Sequence, residues 1–305
     1  MKKTILSQLE LDEKLFSGHS ACPGCAAVLT VRHIARTLGE DTVLVITASC
    51  WSVIAGAGPL RALDISVVHC PFPSGAAVAS GLKKGLQRLG SPETRVVLLA
   101  GDGGTFDIGL QGLSGAAERN EDIIFICYDN EAYMNTGMQR SSATPYASYS
   151  TTTPAPLVNK NPKKDIVHIM AAHHVPYIAT ATIAYPSDLV AKIKKAMEIR
   201  GFRFFHIFSP CPPGWGSESH KSIELSRMAV ETRLFPLMEV IGGREVVLNY
   251  LPEKYTPVED YLRLQGRFSS LEPGHVMMIQ ENLERNWDYL QRASKRYRYE
   301  DEYWS

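Results

Sequence analysis

Apolar residues gather along this chain in short continuous runs rather than in strict alternation. Val43–Thr47, Ile65–Cys70, Arg95–Ala100, Asp122–Tyr128, Tyr177–Ile183 and Arg203–Phe208 have the length and the β-branched or aromatic content of strands covered on both faces. Helical spacing of apolar positions predicts helices between them at Cys25–Leu38, Ser74–Leu89, Phe106–Asn120, Asp165–Ala172 and Ser187–Arg200. Strands alternating with helices specify an α/β fold with a doubly wound, mainly parallel sheet. Ligands of such sheets sit at the carboxyl ends of the strands.

Three stretches depart from this rhythm. Thr42 to Leu60 runs for 19 residues without a charge, but Ser49, Ser52, Gly56, Gly58 and Pro59 suit a buried strand, a turn and a tightly packed Gly/Ala segment better than a membrane span. Residues 135–164 are rich in Ser, Thr, Pro and Gly, and are long enough to be a functional loop or lid. From residue 218 onward the pattern is a helix at Ile223–Phe235, a short hairpin at Glu245–Tyr250 and a charged helix at Glu281–Tyr297. This divides the chain at 217/218 into a sheet domain and a C-terminal extension expected to serve as a contact surface. The ending 298–305 is polar with aromatics and is expected to fray or dock on a partner.

The chain has 305 residues, of which 45% are hydrophobic, and 32 basic residues balance 32 acidic ones. This is globular composition, with length for a sizeable core. Zero net charge gives no footprint for a nucleic-acid backbone. Polar residues interrupt any signal-peptide core near the N-terminus, so the expected location is the reducing cytoplasm, without a membrane anchor. There, the six cysteines at 22, 25, 50, 70, 127 and 211 are better read as thiols or ligands than as disulfides.

The strongest local signal lies where the strand Arg95–Ala100 runs into Gly101-Asp102-Gly103-Gly104. Glycines let a backbone approach a ligand closely, and the helix that follows offers free N–H groups to phosphate oxygens. Asp102 can give a divalent ion a hard carboxylate, Asn130 a neutral oxygen and Ala132 a main-chain carbonyl. Mg²⁺ is usually bound by a few such protein oxygens together with substrate phosphates. Cys22-Pro-Gly-Cys25, Cys50 and Cys211 could converge on a [4Fe–4S] cube, although C-x-x-C alone fits a zinc half-site or a redox pair equally. Cys127, inside a strand, reads as core, and Cys70 as structural. His168, His173 and His174 read as a solvated helix face.

Gly-Asp-Gly followed by Asn130 resembles the thiamine-diphosphate and magnesium motif. The wider strings Gly101–Leu110 and Tyr128–Pro145, with the contexts Gly18-His-Ser-Ala-Cys22 and Ser209-Pro-Cys-Pro-Pro-Gly-Trp215, resemble the β subunits of pyruvate:ferredoxin oxidoreductases (pyruvate synthases) from Gly18 to about Phe268. The resemblance implies a thiamine-diphosphate-binding fold of the pyrophosphate-binding type. It implies thiamine diphosphate held near Ala27, Cys50, Gly101, Asp102, Gly103, Gly104, Asn130, Ala132 and Asn135. It also implies Mg²⁺ on Asp102, Asn130 and Ala132, and one [4Fe–4S] cluster on Cys22, Cys25, Cys50 and Cys211.

The implied reaction is oxidative decarboxylation of pyruvate with coenzyme A to acetyl-CoA and CO₂, with reduction of ferredoxin. Asn135 would reach the substrate carboxylate or the thiamine adduct, with Thr136 and Arg140 either its neighbours or supports of the loop; His19, close to the Cys22 motif, either orients the cluster or serves packing or a helix cap. The resemblance further implies an α subunit bringing the glutamate that activates the aminopyrimidine, a γ subunit or fused domain, a ferredoxin-like δ subunit or domain, and an external ferredoxin. One departure concerns substrate: Cys70-Pro-Phe-Pro-Ser-Gly replaces an acidic, Asn-containing segment, which leaves oxalate, 2-oxobutyrate or another small 2-oxo acid open. A non-oxidative thiamine enzyme would leave the four cysteines unemployed. A zinc-stabilised scaffold would leave Gly101–Gly104 and Asn130 unexplained.

Overall fold

The computed structural model describes residues 12–254 and 256–301, with side chains as far as Ser294. The first eleven residues and the side chains of the ending 298–305 lie outside that range. The elements run α1 (Ala26–Leu38), β1 (Thr42–Thr47), α2 (Cys50–Ala55), β2 (Ser66–Cys70), α3 (Gly75–Arg88), β3 (Arg95–Gly101), a π-helical turn (Gly103–Asp107), α4 (Leu110–Glu118) and β4 (Ile124–Asp129). They continue with α5 (Ile166–Ala172), β5 (Tyr177–Thr182), α6 (Pro186–Glu198), β6 (Arg203–Phe208), α7 (Pro212–Trp215), α8 (Ser222–Glu231), β7 (Met238–Ile241), β8 (Glu245–Leu248), α9 (Val258–Arg263) and α10 (Pro273–Asp301).

The strands form one sheet in the order β2-β1-β3-β4-β6-β5-β7-β8. The first six are parallel, and β7 joins β5 antiparallel before turning back into β8. In β1, β3, β4, β5 and β6 the continuous apolar runs bury both faces, whereas the edge strand β2 leaves Ser66 and His69 exposed. In β3, Val97 and Leu99 enter one layer with Ile124 and Ile126 of β4, whereas Val96 and Leu98 enter the other with Phe125 and Cys127. The first layer is closed by α1 and α6, and the second by helices that include α3, α4 and α5. Apolar residues of α1 recur at Ala27, Val31, Ile34, Ala35 and Leu38, the spacing of one buried helix face. A third apolar cluster gathers Phe208 and Trp215 with Leu225, Phe235, Tyr261 and Phe268 of the C-terminal extension.

The chain runs outward from β1 to β2 and returns to place β3 on the other side of β1. The strand order therefore reverses between β1 and β3, where open parallel sheets form their crevice. Sequence boundaries shift where local chemistry overrides periodicity. The helix expected from Phe106 begins as a π-turn at Gly103, and α8 stops at Glu231, ahead of Arg233 in the left-handed region and Pro236. The uncharged 50–55 segment, expected as turn and packed Gly/Ala, is the short helix α2. The hairpin expected at Glu245–Tyr250 is β7 and β8 joined through Gly242-Gly243, so the extension lengthens the sheet itself. Among the described residues, no helix is long and apolar enough to cross a membrane.

Candidate functional site

A cavity of about 270 Å³ opens at the β1/β3 switch point, lined by Ala48, Ser49, Cys50, Phe72, Gly101–Gly104, Tyr128, Asn130, Ala132, Tyr133, Met134, Asn135 and Thr136. It lies just below the range of complete small-molecule sites, roughly 300–1,000 Å³. Parallel register places Gly101 opposite Tyr128, so Asp102 and Asn130 leave neighbouring strands side by side. Asp102 is buried, and its Oδ2 accepts from Ser141 Oγ at 2.5 Å. Burial pushes its carboxyl well above the usual range, the charge of Asp129 adds to this, and Ser141 and Lys163 pull it back only in part.

The Asn130 amide oxygen faces Asp102 Oδ1 at 3.0 Å and Ala132 O at 2.9 Å. Turned over, the amide would donate to both, which satisfies the protein alone. With the oxygen inward, three oxygens share one corner. Ligands at right angles around Mg²⁺, at about 2.1 Å each, lie about 3 Å apart. The donor set and its spacing fit a small hard cation, with the Gly103–Gly104 backbone adjoining it. The 135–164 loop underlies this corner. Thr144 Oγ1 donates to Glu131 O at 2.8 Å, Ser142 N donates to Asp107 at 3.1 Å, and Arg140 Nε donates to Asn159 at 2.9 Å.

The four cysteines proposed as ligands gather beside the cavity. Cys25 caps α1, Cys50 begins α2 and Cys211 caps α7, while Cys22 and Cys25 close a turn in which Cys25 N donates to Cys22 O at 3.2 Å. Gly24, at φ 74°, packs against the Ser219 backbone, where a Cβ would fall 2.1 Å from the carbonyl oxygen. Burial pushes the Cys50 thiol up to about 12, and the neighbouring Cys211, Cys25 and Cys22 add to the shift. Cys211 is raised to about 11, again by burial first and by Cys25 and Cys22 in support. The thiols therefore sense one another, yet among the described residues no three His, Cys, Asp or Glu side chains are grouped to hold a single metal ion.

Other candidates fall in different places. Ala27 is buried on α1 and does not line the cavity. Asn135 and Thr136 sit at the cavity rim, both exposed. His19 accepts from Ala21 N at 3.4 Å. Cys127 is fully buried in β4, and Cys70 is buried with its thiol toward Ile46 O. His168 pairs with Asp165, and His173 with Ser114.

Sequence reasoning missed a buried charge network behind the oxygen corner. Lys163 Nζ lies 2.5 Å from Asp129 and 2.7 Å from Glu131, His206 Nε2 lies 2.7 Å from Asp129, and Arg267 lies 2.6 Å from Glu131. Burial alone would raise the Asp129 carboxyl, but Lys163 and His206 outweigh it and hold the group below its ordinary value.

Residues 47–207 match the family model described as the thiamine pyrophosphate enzyme C-terminal TPP-binding domain. The chain is 47% identical over 273 residues to pyruvate synthase subunit PorB of Methanothermobacter marburgensis, covering 88% of this chain and 94% of that one.

The chain belongs to the β subunits of the 2-oxoacid:ferredoxin oxidoreductases.

This β subunit is also 44% identical over 296 residues to ketoisovalerate oxidoreductase subunit VorB of Pyrococcus horikoshii, covering 94% of this chain and 95% of that one. Among solved structures it resembles 2-oxoglutarate:ferredoxin oxidoreductase from Magnetococcus marinus at 25% identity and a TM-score of 0.57, over 74% of this chain and 81% of that chain. The cavity and its oxygen corner fall within the matched thiamine-binding domain, as does Cys50, whereas Cys22, Cys25 and Cys211 lie outside it.

Proposed function

We propose that this β subunit holds thiamine diphosphate through Mg²⁺ on Asp102, Asn130 and Ala132, carries one [4Fe–4S] cluster on Cys22, Cys25, Cys50 and Cys211, and oxidises pyruvate with coenzyme A in a complex with other subunits. The observation that carries the reading is the three-oxygen corner, with edges of 3.0 and 2.9 Å, in the same cavity as Cys50. When bound, thiamine diphosphate supplies the carbon nucleophile and electron sink that decarboxylation needs, and the cluster supplies a one-electron acceptor.

The protein's own part is orientation and charge. The corner gives the cation one anionic and two neutral oxygens, and the Gly103–Gly104 backbone leaves room for diphosphate oxygens. Phe72, Tyr128, Tyr133 and Met134 make the remaining walls largely apolar, which excludes water from the reacting centre. Asn135 at the rim offers its amide to the substrate carboxylate. In this reading the glutamate that activates the aminopyrimidine comes from an α subunit completing the cavity, whose described lining includes none. A γ subunit or domain and a ferredoxin-like δ subunit or domain then complete the assembly, with ferredoxin as the external acceptor.

A second reading concerns the substrate alone. The likeness to a ketoisovalerate oxidoreductase subunit over 94% of the chain, together with the apolar wall at Phe72, favours a branched 2-oxo acid as the alternative, with oxalate and 2-oxobutyrate still to be compared. The test is viologen reduction by the anaerobically purified complex with pyruvate, 2-oxoisovalerate, 2-oxobutyrate and oxalate, each with and without coenzyme A. CoA-dependent oxidation of pyruvate is expected. Activity of the isolated chain, or activity independent of thiamine diphosphate, would overturn the proposal.

A further inference from the structure

The short turn α7, which follows Cys211, is gripped by the loop that supplies the cation oxygens and by the C-terminal extension. Trp215 is fully buried, and its Nε1–H donates to the main-chain oxygen of Asn130 at 2.8 Å. On the indole lies the Arg267 guanidinium, 3.8 Å from the ring centroid, which also donates to the Glu131 carboxylate at 2.6 Å. Met134 closes the contact from the cavity side: a Cβ on Gly214 would fall 2.1 Å from Met134 Sδ, and 3.4 Å from Cys211 Sγ. Behind the turn, Gly266 N donates to Gly216 O at 3.1 Å.

The peptide that Trp215 holds is a demanding one. Glu131 sits at φ 67°, in the left-handed region that costs a non-glycine residue conformational energy. The direction of the 130–131 peptide decides whether the Ala132 carbonyl comes to the Asn130 side-chain oxygen. Trp215 and the Arg267–Glu131 pair hold it there from the side of the Cys211 turn, while Asp129 accepts from Glu131 N at 2.9 Å and Thr144 donates to Glu131 O at 2.8 Å on the other side.

We propose that Trp215 is a positioning residue that ties the cation-binding loop to the Cys211 turn, so that Mg²⁺-dependent binding of thiamine diphosphate and the environment of the Cys211 sulfur are linked. The inference rests on the cofactor assignment above. The test uses the anaerobic complex carrying Trp215→Phe, which keeps the ring against Arg267 and Phe208 but removes the N–H. Thiamine diphosphate binding at fixed Mg²⁺, measured by calorimetry, should weaken about tenfold, one buried hydrogen bond's worth, while iron content is unchanged. The midpoint potential of the cluster, read by EPR titration, should change on cofactor binding in the wild type and change less in the variant.

Leu225→Ala, in the same apolar cluster, serves as a control for general destabilisation and should lower Tm without altering affinity. Should Trp215→Phe fail to assemble, Arg267→Lys keeps a charge beside Glu131 but withdraws the planar face from the indole. It should weaken binding at least threefold. Affinity within twofold of wild type in the variant tested, an undiminished potential change, or an equal loss in Leu225→Ala would overturn the proposal. A wild-type complex that binds no thiamine diphosphate would instead overturn the cofactor assignment beneath it.

Discussion

Replacing Gly103 by alanine tests the cavity with one methyl group. The added Cβ would lie 2.1 Å from Tyr133 Cε1 and 2.5 Å from Cδ1, whereas non-bonded carbons rest at about 3.5–4.0 Å. The ring must therefore move by roughly 1.5 Å. It is not free to do so, because its hydroxyl donates to Asp107 at 2.9 Å and its face meets Phe72 edge-on at 5.8 Å. Overpacking of this kind costs about 1–3 kcal/mol, and losing the hydrogen bond adds about 0.5–1.5 kcal/mol. Gly103, Phe72 and Tyr133 all line the cavity, so the cost falls on the conformation that binds cofactor. A total of about 2–4 kcal/mol corresponds to a 30- to 1,000-fold loss of thiamine diphosphate affinity. Calorimetric titration of the Gly103→Ala complex at fixed Mg²⁺ measures it, with iron content confirming assembly. Affinity within threefold of wild type would refute the packing argument.

Asp102→Asn keeps the shape of the corner and removes its one anionic oxygen. Mg²⁺-dependent binding should fall at least about 100-fold without a lower Tm for the cofactor-free chain, since burial and then the Asp129 charge already oppose the Asp102 carboxylate; retained binding would count against the cation assignment. Serine at Cys22, Cys25, Cys50 or Cys211 should each lower iron per chain and bleach the absorbance near ~400 nm. Serine at Cys127 or Cys70 should leave iron content intact, and equal iron loss at all six positions would contradict the assignment of four ligands. Burial raises the Glu13 carboxyl, but bonds from Arg32 and Leu15 N–H and the charges of Arg32 and Arg36 outweigh it and bring it to about 2. Its contribution to stability is therefore present above the ordinary value near 4.5 and is lost as pH falls toward 2. Glu13→Gln should flatten the decline of Tm over that window, and an unchanged slope would show the triad to be inert.

Strands buried on both faces announce themselves as continuous apolar runs, which is why β1, β3, β4, β5 and β6 and the carboxyl-end location of Gly101–Gly104 and Asn130 are readable from residues alone; the edge strand β2, with Ser66 and His69 exposed, is readable from its Val67-Val68 centre. α2 was not, because Ser, Gly and the absence of charge between 49 and 58 read as a turn. β7 was hidden by Leu234-Phe235, whose apolar character extended the preceding helix pattern past the left-handed Arg233. The network behind the oxygen corner is a matter of tertiary pairing. Lys163 meets Glu131 across 32 residues and Arg267 meets it across 136, separations that no local pattern encodes. Ser141 reached Asp102 from the Ser/Thr/Pro-rich loop, where one serine looks like the next.

The most direct measurement is a single turnover of the anaerobic complex with pyruvate, without coenzyme A or ferredoxin, followed by EPR in the presence and absence of thiamine diphosphate and Mg²⁺. If the oxygen corner and the four cysteines work as one site, the cluster on this subunit takes up an electron only when both are supplied, and Asp102→Asn abolishes the signal. Cluster reduction by pyruvate without thiamine diphosphate, or an undiminished signal in Asp102→Asn, would contradict it.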